Sequence, residues 1–351
     1  MSVTTQSPSK ADGVVRPQAR AQALRAAGLL VALGVLALTV LLSIWLGSKD
    51  IPFLATWDVL WNSDGSNDAV IIHEYRIPRT LLGMLVGGAL GLAGALMQAL
   101  TRNPLADPGL LGVTMGASTG VVISLAFFGL SSVLGYVWFA FAGAAFAAVV
   151  VYALGGTGRG NATPERLVLA GAAVTAVMYA FNTAVLLMDP EAFDEFRFWN
   201  VGSLAGRYVD VLLPVLPFLA AGILLALLLI RPLNALAMGE DLGRALGTNP
   251  ARVRALGALA ITLLCGAATA AAGPIAFVGL AVPHMARLLV GPDQRWVLPY
   301  SLVLAPILLV ASDIVGRVIA PPSEIQVGIV TAAIGVPVFI ALCRKRKLAA
   351  L

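Results

Sequence analysis

The chain has 351 residues, of which 59% are hydrophobic and only 12% charged, with a formal net charge of +5. Soluble domains average nearer half apolar and a quarter charged, so this composition excludes a disordered chain, a basic nucleic-acid-binding domain and an ordinary soluble enzyme. A multi-span membrane protein remains. Its apolar runs of about 20 residues lack the alternation of barrel strands, which makes it all-α.

Taken in chain order, residues 1–24 read as a disordered polar tail. The first apolar run, Gly28 to Leu46, is longer than the apolar region of a signal peptide and has no small-residue cleavage site, so it reads as an uncleaved span. Further spans are predicted near 79–100, 110–130, 133–154, 165–188, 211–230, 252–272, 275–290, 297–313 and 326–343, ten in total. Pro274 and Pro283 interrupt the eighth. A basic tail, 344–351, closes the chain.

Ten spans put both termini on one side. With a cytoplasmic N-terminus, 17 of the 23 cations fall inside, among them the Arg344–Lys347 cluster. That bias supports cytoplasmic termini and an even number of spans. The outside cations are Lys49, Arg76, Arg79, Arg197, Arg207 and Arg317.

Cys265 and Cys343 read as small apolar residues, and no CxxC occurs. His73 and His284 are isolated and cannot alone build a transition-metal site, so no metal ligands or catalytic residues are expected. The spans carry almost no ionisable residue at mid-depth, where an ion-coupled carrier places its ligand. Asn182 and Gln98 are the main polar side chains there, and interhelix hydrogen bonds suffice for both. None of the four lysines follows a glycine, so the chain cannot form a P-loop, and any ATP-driven motor must be another polypeptide. A passive channel lacks the expected rings of charge. Gly83, Gly87, Gly91 and Gly94 form a small-residue face for tight helix packing.

Three segments outside the spans carry more information. The first, His73 to Thr80, presents Arg76 and Arg79 outside, against the inward bias; guanidinium forks suit an acidic docking partner or lipid headgroups. The second, Thr101 to Gly112, reads as a stiff cytoplasmic link in which Asp107 caps the next helix. The third, near 234–248, reads as two short cytoplasmic helices. Met238, Leu242, Ala245 and Leu246 recur at helical spacing, Glu240 and Asp241 suit the helix start, and Gly247 can end it. Their apolar stripe fits a partner's groove better than a lipid surface.

The stretch RIPRTLLGMLVGGALGLAGALMQALTRNPLADPGLLGV (76–113), the MGEDLGRALG stretch (238–247), GPIAFVGLAVPHMARLLVG (273–291), and ASDIVGR with GIVTAAIGVPVFI (311–340) together resemble the FecCD-type permeases of ABC importers. The resemblance runs from about residue 25 to the C-terminus. It implies a BtuC-like ABC importer permease fold: ten transmembrane helices, with spans two to five and seven to ten as inverted repeats, in a permease domain at 25–343. It also implies a bacterial inner-membrane subunit for iron–siderophore complexes, with haem or cobalamin as alternatives and an ion-coupled secondary transporter as the rival from another class. Its implied partners are a second permease subunit, identical or homologous, two ATPase subunits that hold the ATP and Mg, and an extracytoplasmic substrate-binding protein. No cofactor is expected on this chain. By the same resemblance, Arg76, Arg79 and Arg317 match the docking positions. Met238, Gly239, Glu240, Asp241, Leu242, Arg244, Ala245, Leu246 and Gly247 match the ATPase-coupling helices. Thr175, Met178, Asn182 and Thr331 are candidates to line the pathway.

Overall fold

The computed structural model describes residues 17–62, 65–156, 164–207 and 209–344, and no strand occurs among them. The chain runs through α1 (Pro17–Trp45), α2 (Phe53–Trp61) and α3 (Asn67–Val70), then a π-helical turn at Ile71–Arg76 that enters α4 (Ile77–Thr101). A 3-10 turn at Pro108–Leu111 precedes α5 (Val113–Phe128), α6 (Val133–Gly156), α7 (Pro164–Met188), α8 (Pro190–Asn200) and α9 (Val209–Leu228). Two short helices, α10 (Ile230–Ala237) and α11 (Glu240–Ala245), lead to α12 (Pro250–Ala272), α13 (Val278–Val290), α14 (Gln294–Ile319) and α15 (Val327–Arg344).

Among the described residues, seven helices are long and apolar enough to cross a membrane: α1, α4, α6, α7, α9, α12 and α14. The third, eighth and tenth predicted spans form shorter apolar helices, α5, α13 and α15. The first two are short because the segments before them are irregular and fold back into the bundle. Gly112, in a left-handed conformation at φ 71°, lies beside Ala147 and Val151 of α6 and Thr175 of α7. Gly273, φ 78°, lies against Trp199 and Gly202, and Phe277, φ 67°, precedes α13. The link 102–112 is therefore an exposed turn only at its start, where Arg102, Asn103 and Leu105 are exposed, and it runs inward from Ala106. Irregular backbone at such depth is tolerated only where protein or a cavity surrounds it. The first helix starts at Pro17, inside the predicted 1–24 tail; residues 1–16 and 345–351 lie outside the described residues.

Burial separates centre from periphery. The apolar windows of α4, α12 and α14 are 83%, 72% and 56% buried, whereas those of α1, α6, α7 and α9 are 17–28% buried. The outer helices expose Leu30, Val31, Phe146, Val149, Val177 and Leu224, the side chains a lipid-facing surface needs.

The glycine face of α4 explains its central place. A Cβ at Gly87 would press on the Pro306 backbone, one at Gly91 on Ser301 and Ala305, and one at Gly94 would overlap the Gly279 carbonyl. The same helix therefore touches α14 and α13 backbone to backbone, which hydrocarbon solvent cannot drive but close van der Waals packing can. Gln98 Nε2 adds a 3.1 Å hydrogen bond to the Leu280 carbonyl oxygen.

Because α4 has 25 residues, about 37 Å at 1.5 Å per residue, it separates two ends of the bundle. Arg76 and Arg79 lie at one end; Arg102, bonded to α10, lies at the other. The C-terminus of α1 and the start of α15 belong to the arginine end.

Gly94→Ala should lower the stability of the purified protein by about 1–3 kcal/mol through overpacking, while Gly34→Ala, where nothing lies within 4 Å, should be neutral or slightly stabilising. Thermal unfolding in detergent compares the two.

Candidate functional site

The arginine end is built around a shortage of partners at the C-terminus of α1. The last carbonyls of a helix have no intrahelical donor, and α1 has no basic residue in its last turn. Two arginines from distant helices supply the donors. Arg317 of α14 donates through Nη1 to the carbonyls of Ser43 (2.9 Å) and Leu46 (3.1 Å), and through Nη2 to Ser43 Oγ (2.6 Å). Arg76 donates to the carbonyls of Ile44 (3.0 Å), Trp45 and Lys49 (2.6 Å). Gly47 leaves room for its guanidinium, since a Cβ there would collide with it.

The charges are balanced from α14 and the link after it. Asp313 is bound through Arg79 Nε (3.0 Å) and Nη2 (2.8 Å) and also meets Arg317 Nη2 at 3.1 Å. Arg79 Nη1 holds Glu324 at 2.6 Å. Burial raises the Glu324 carboxyl, but the Arg79 charge and hydrogen bond outweigh it and hold the group below the usual glutamate range. A cleft of about 240 Å³ opens here, lined by Lys49, Tyr75, Arg76, Arg79, Arg317 and Glu324.

A second feature is an open cavity of about 560 Å³ between the two folded-back segments. Asp107, Thr114, Asn200, Ile275, Phe277 and Gly328 line it. Asp107 Oδ1 accepts the Gly109 N–H at 2.8 Å and so caps the 3-10 turn.

At the opposite end, α10 and α11 are pinned from three sides. Arg102 Nη2 donates to the Leu236 carbonyl at 2.5 Å. Asn234 Nδ2 donates to Asp293 Oδ1 (2.6 Å), and its Oδ1 accepts the Gln294 N–H (2.9 Å). Glu240 pairs with Arg254 of α12 and more loosely with Arg244, at 3.7 Å. Gly239, at φ 114°, makes the corner between the two helices, and Gly247, at φ 84°, ends the second. Leu233 and Leu236 face inward, while Met238, Leu242 and Leu246 stand 56%, 49% and 58% exposed. A rigid mount carrying three uncovered apolar side chains is suited to receive another protein.

A model of the FecCD transport family matches residues 35–345. The chain belongs to the FecCD transport family. It is 50% identical to the ferric enterobactin transport system permease protein FepD of Escherichia coli (strain K12), over 87% of this chain and 91% of that one. It is 41% identical to the iron(3+)-hydroxamate import system permease protein FhuB of Bacillus subtilis (strain 168), over 91% and 83%. It is 35% identical to the hemin transport system permease protein HmuU of Yersinia pestis, over 88% and 94%. Among solved structures it matches an inward-facing metal-chelate type ABC transporter with a TM-score of 0.81 and 27% identity, covering 90% of this chain and 98% of that one.

Within this FecCD fold, the three arginines singled out in the sequence come together, but not as free surface cations. Arg76 and Arg317 are 5% and 2% exposed and cap α1; Arg79 is tied to two carboxylates. The residues from Met238 to Gly247 gather on α11 and its two flanking turns. Thr175, Met178, Asn182 and Thr331 do not line the 560 Å³ cavity. Met178, Asn182 and Thr331 are buried within the chain; Asn182 Nδ2 meets Met115 Sδ at 3.6 Å, and Thr331 Oγ1 donates to the Gly328 carbonyl at 3.0 Å. Sequence reasoning missed Asp313 and Glu324, although both lie in or beside the quoted 311–340 motif. Two acids beside outside arginines are the signal that identifies them. It also placed Asp107 at a surface rather than beside a cavity.

Two predictions follow from this network. Arg317→Met should cost about 3–5 kcal/mol, because it strips donors from α1 and leaves Asp313 with one partner fewer; chemical unfolding measures it. The Glu324–Arg79 tie contributes above the ordinary glutamate value of 4.5 and is lost as pH falls through the depressed value of the folded protein. The difference in unfolding temperature between wild type and Glu324→Gln should therefore be full at neutral pH and vanish on acidification below that value.

Proposed function

We propose that this chain is the membrane permease subunit of an ATP-binding-cassette importer that carries a ferric siderophore into the bacterial cytoplasm. The observation that carries the reading is the 50% identity to the ferric enterobactin permease along 87% of the chain. The siderophore-type relatives at 50% and 41% identity favour that class over haem, whose named permease is 35% identical.

In this reading each partner has its own face of the chain. An extracytoplasmic binding protein docks on the cleft lined by Arg76, Arg79 and Arg317. A separate ATPase binds Met238, Leu242 and Leu246 at the opposite end. A second copy, identical or homologous, completes the pathway. The cation bias puts the α10–α11 end in the cytoplasm, with both termini. The chain performs no covalent chemistry. ATP binding moves the ATPase, Glu240 and Arg254 pass the displacement to α12, and α12 ends beside the segment that walls the cavity. Packed helices of this kind respond by rocking between discrete arrangements.

Asp107 gives the ion-coupled rival its one specific foothold, a carboxylate beside the cavity. The test separates the two readings. Cells lacking their own ferric-siderophore permeases and expressing this chain with its ATPase and binding protein are given radioiron-labelled ferric enterobactin, ferric hydroxamate or haem. Uptake of a ferric siderophore is expected. Leu242→Glu should cut it about tenfold or more by breaking an apolar contact, with membrane abundance unchanged. Accumulation by the purified chain alone in liposomes, driven by an ion gradient, overturns the proposal.

A further inference from the structure

The two carboxylates on Arg79 are not equivalent. Asp313 sits within α14, with its side chain 3% exposed, and is held by Arg79 and Arg317 together. Glu324 sits on the link 320–326, with its side chain 26% exposed, and holds one arm of the Arg79 fork, Nη1, at 2.6 Å. The Ser48 side chain lines the cleft beside it. Removing Glu324 from Arg79 therefore leaves the buried Arg79–Asp313–Arg317 set intact, whereas removing Asp313 does not.

The lining of the cleft is rich in cations, although Asp50 and Asp68 stand near Arg76 behind it. Lys49 is matched by Asp68 at 2.7 Å. Arg76 commits its donors to neutral carbonyls, and no carboxylate contacts it among the described residues. Among the residues that line the cleft, Lys49, Arg76, Arg79 and Arg317 stand against one carboxylate, Glu324. A carboxylate entering from outside is favoured by this balance, and the accessible arm of an arginine fork is already occupied by a carboxylate of the chain itself.

We propose that Glu324 is a built-in competitor for docking: it holds on Arg79 the place that an acidic side chain of the binding protein takes, and docking displaces it. The inference rests on the reading that the binding protein docks at this end. It assigns Glu324 two effects. It weakens capture, so that the binding protein can leave after delivery. It also links capture to the pathway, because the segment it releases is short. Ile325 N–H bonds the Gly316 carbonyl at 2.9 Å, and Gly328, in the first turn of α15, borders the cavity and bonds the Gly202 carbonyl at 3.1 Å. Displacing Glu324 frees the chain immediately before that turn.

The test measures capture of the transporter's own binding protein by the complete permease–ATPase complex in lipid nanodiscs, at low and high salt. Glu324→Gln removes the competing charge and keeps the shape. It should tighten capture about three- to tenfold, most at low salt where screening is least. A side chain that only braces the fold gives the opposite sign or no change. Arg79→Gln should weaken capture, and adding Glu324→Gln to it should restore nothing. If Arg79→Gln does not fold, Arg79→Lys, which keeps a charge for Asp313 but loses the fork, takes its place with the same expectation. Unchanged or weaker capture by Glu324→Gln, while the Arg79 variant weakens it, overturns the competitor and leaves the docking reading standing. Capture indifferent to the Arg79 variants overturns the docking reading itself.

Discussion

A helix that ends at the edge of a membrane leaves carbonyls that water reaches poorly, and the arginine end of this protein is organised by that constraint. The chain after Trp45 neither continues the helix nor caps it with a side chain of its own last turn. Arg76 and Arg317 satisfy the carbonyls instead, from positions 31 and 271–274 residues away. Each buried guanidinium then demands negative charge or further acceptors, since an unpaired buried ion is costly. Asp313 answers for Arg317, Arg79 answers for Asp313, and Glu324 takes the remaining arm of Arg79. One unsatisfied helix end thus draws three helices, α1, α4 and α14, and the link 320–326 to a common point and leaves a cleft lined with cations.

The middle of the molecule obeys a different rule. With no hydrophobic drive between helices in lipid, contact depends on how closely backbones approach. The glycines of α4 permit that approach on α13 and α14, and Gly116 and Gly120 do the same between α5 and α6. Close packing in turn shelters irregular backbone. The segments around Asp107 and Phe277 fold back into the bundle, shorten the helices that follow and leave the open cavity between them. Asp107 caps its own turn there, so a polar side chain at depth first serves the backbone.

The far end combines firm anchoring with uncovered apolar side chains. Arg102, Asn234 and Arg254 hold α10 and α11 to three of the long helices, and the apolar side chains of the outer face remain uncovered.

Composition and run length alone pointed to a helical membrane protein, and the long motifs pointed to the FecCD transport family, to which the chain belongs. The glycine face of α4 was equally legible, because helical periodicity maps it directly onto one side; Met238, Leu242 and Leu246 were legible as exposed apolar residues, but the corner at Gly239 breaks the helix between the first two. Tertiary structure decided what local pattern cannot encode. Arg76 and Arg317 read as surface cations because their partners, the carbonyls of α1, are invisible to side-chain chemistry. Asp107 read as a surface turn because re-entry depends on what surrounds the link. Thr175, Met178, Asn182 and Thr331 lie away from the open cavity of the single chain, and the way a helix faces is not written in one span's polarity. Sequence carries the periodic and the local; which distant group satisfies a buried charge or a bare helix end is settled only when the helices are brought together.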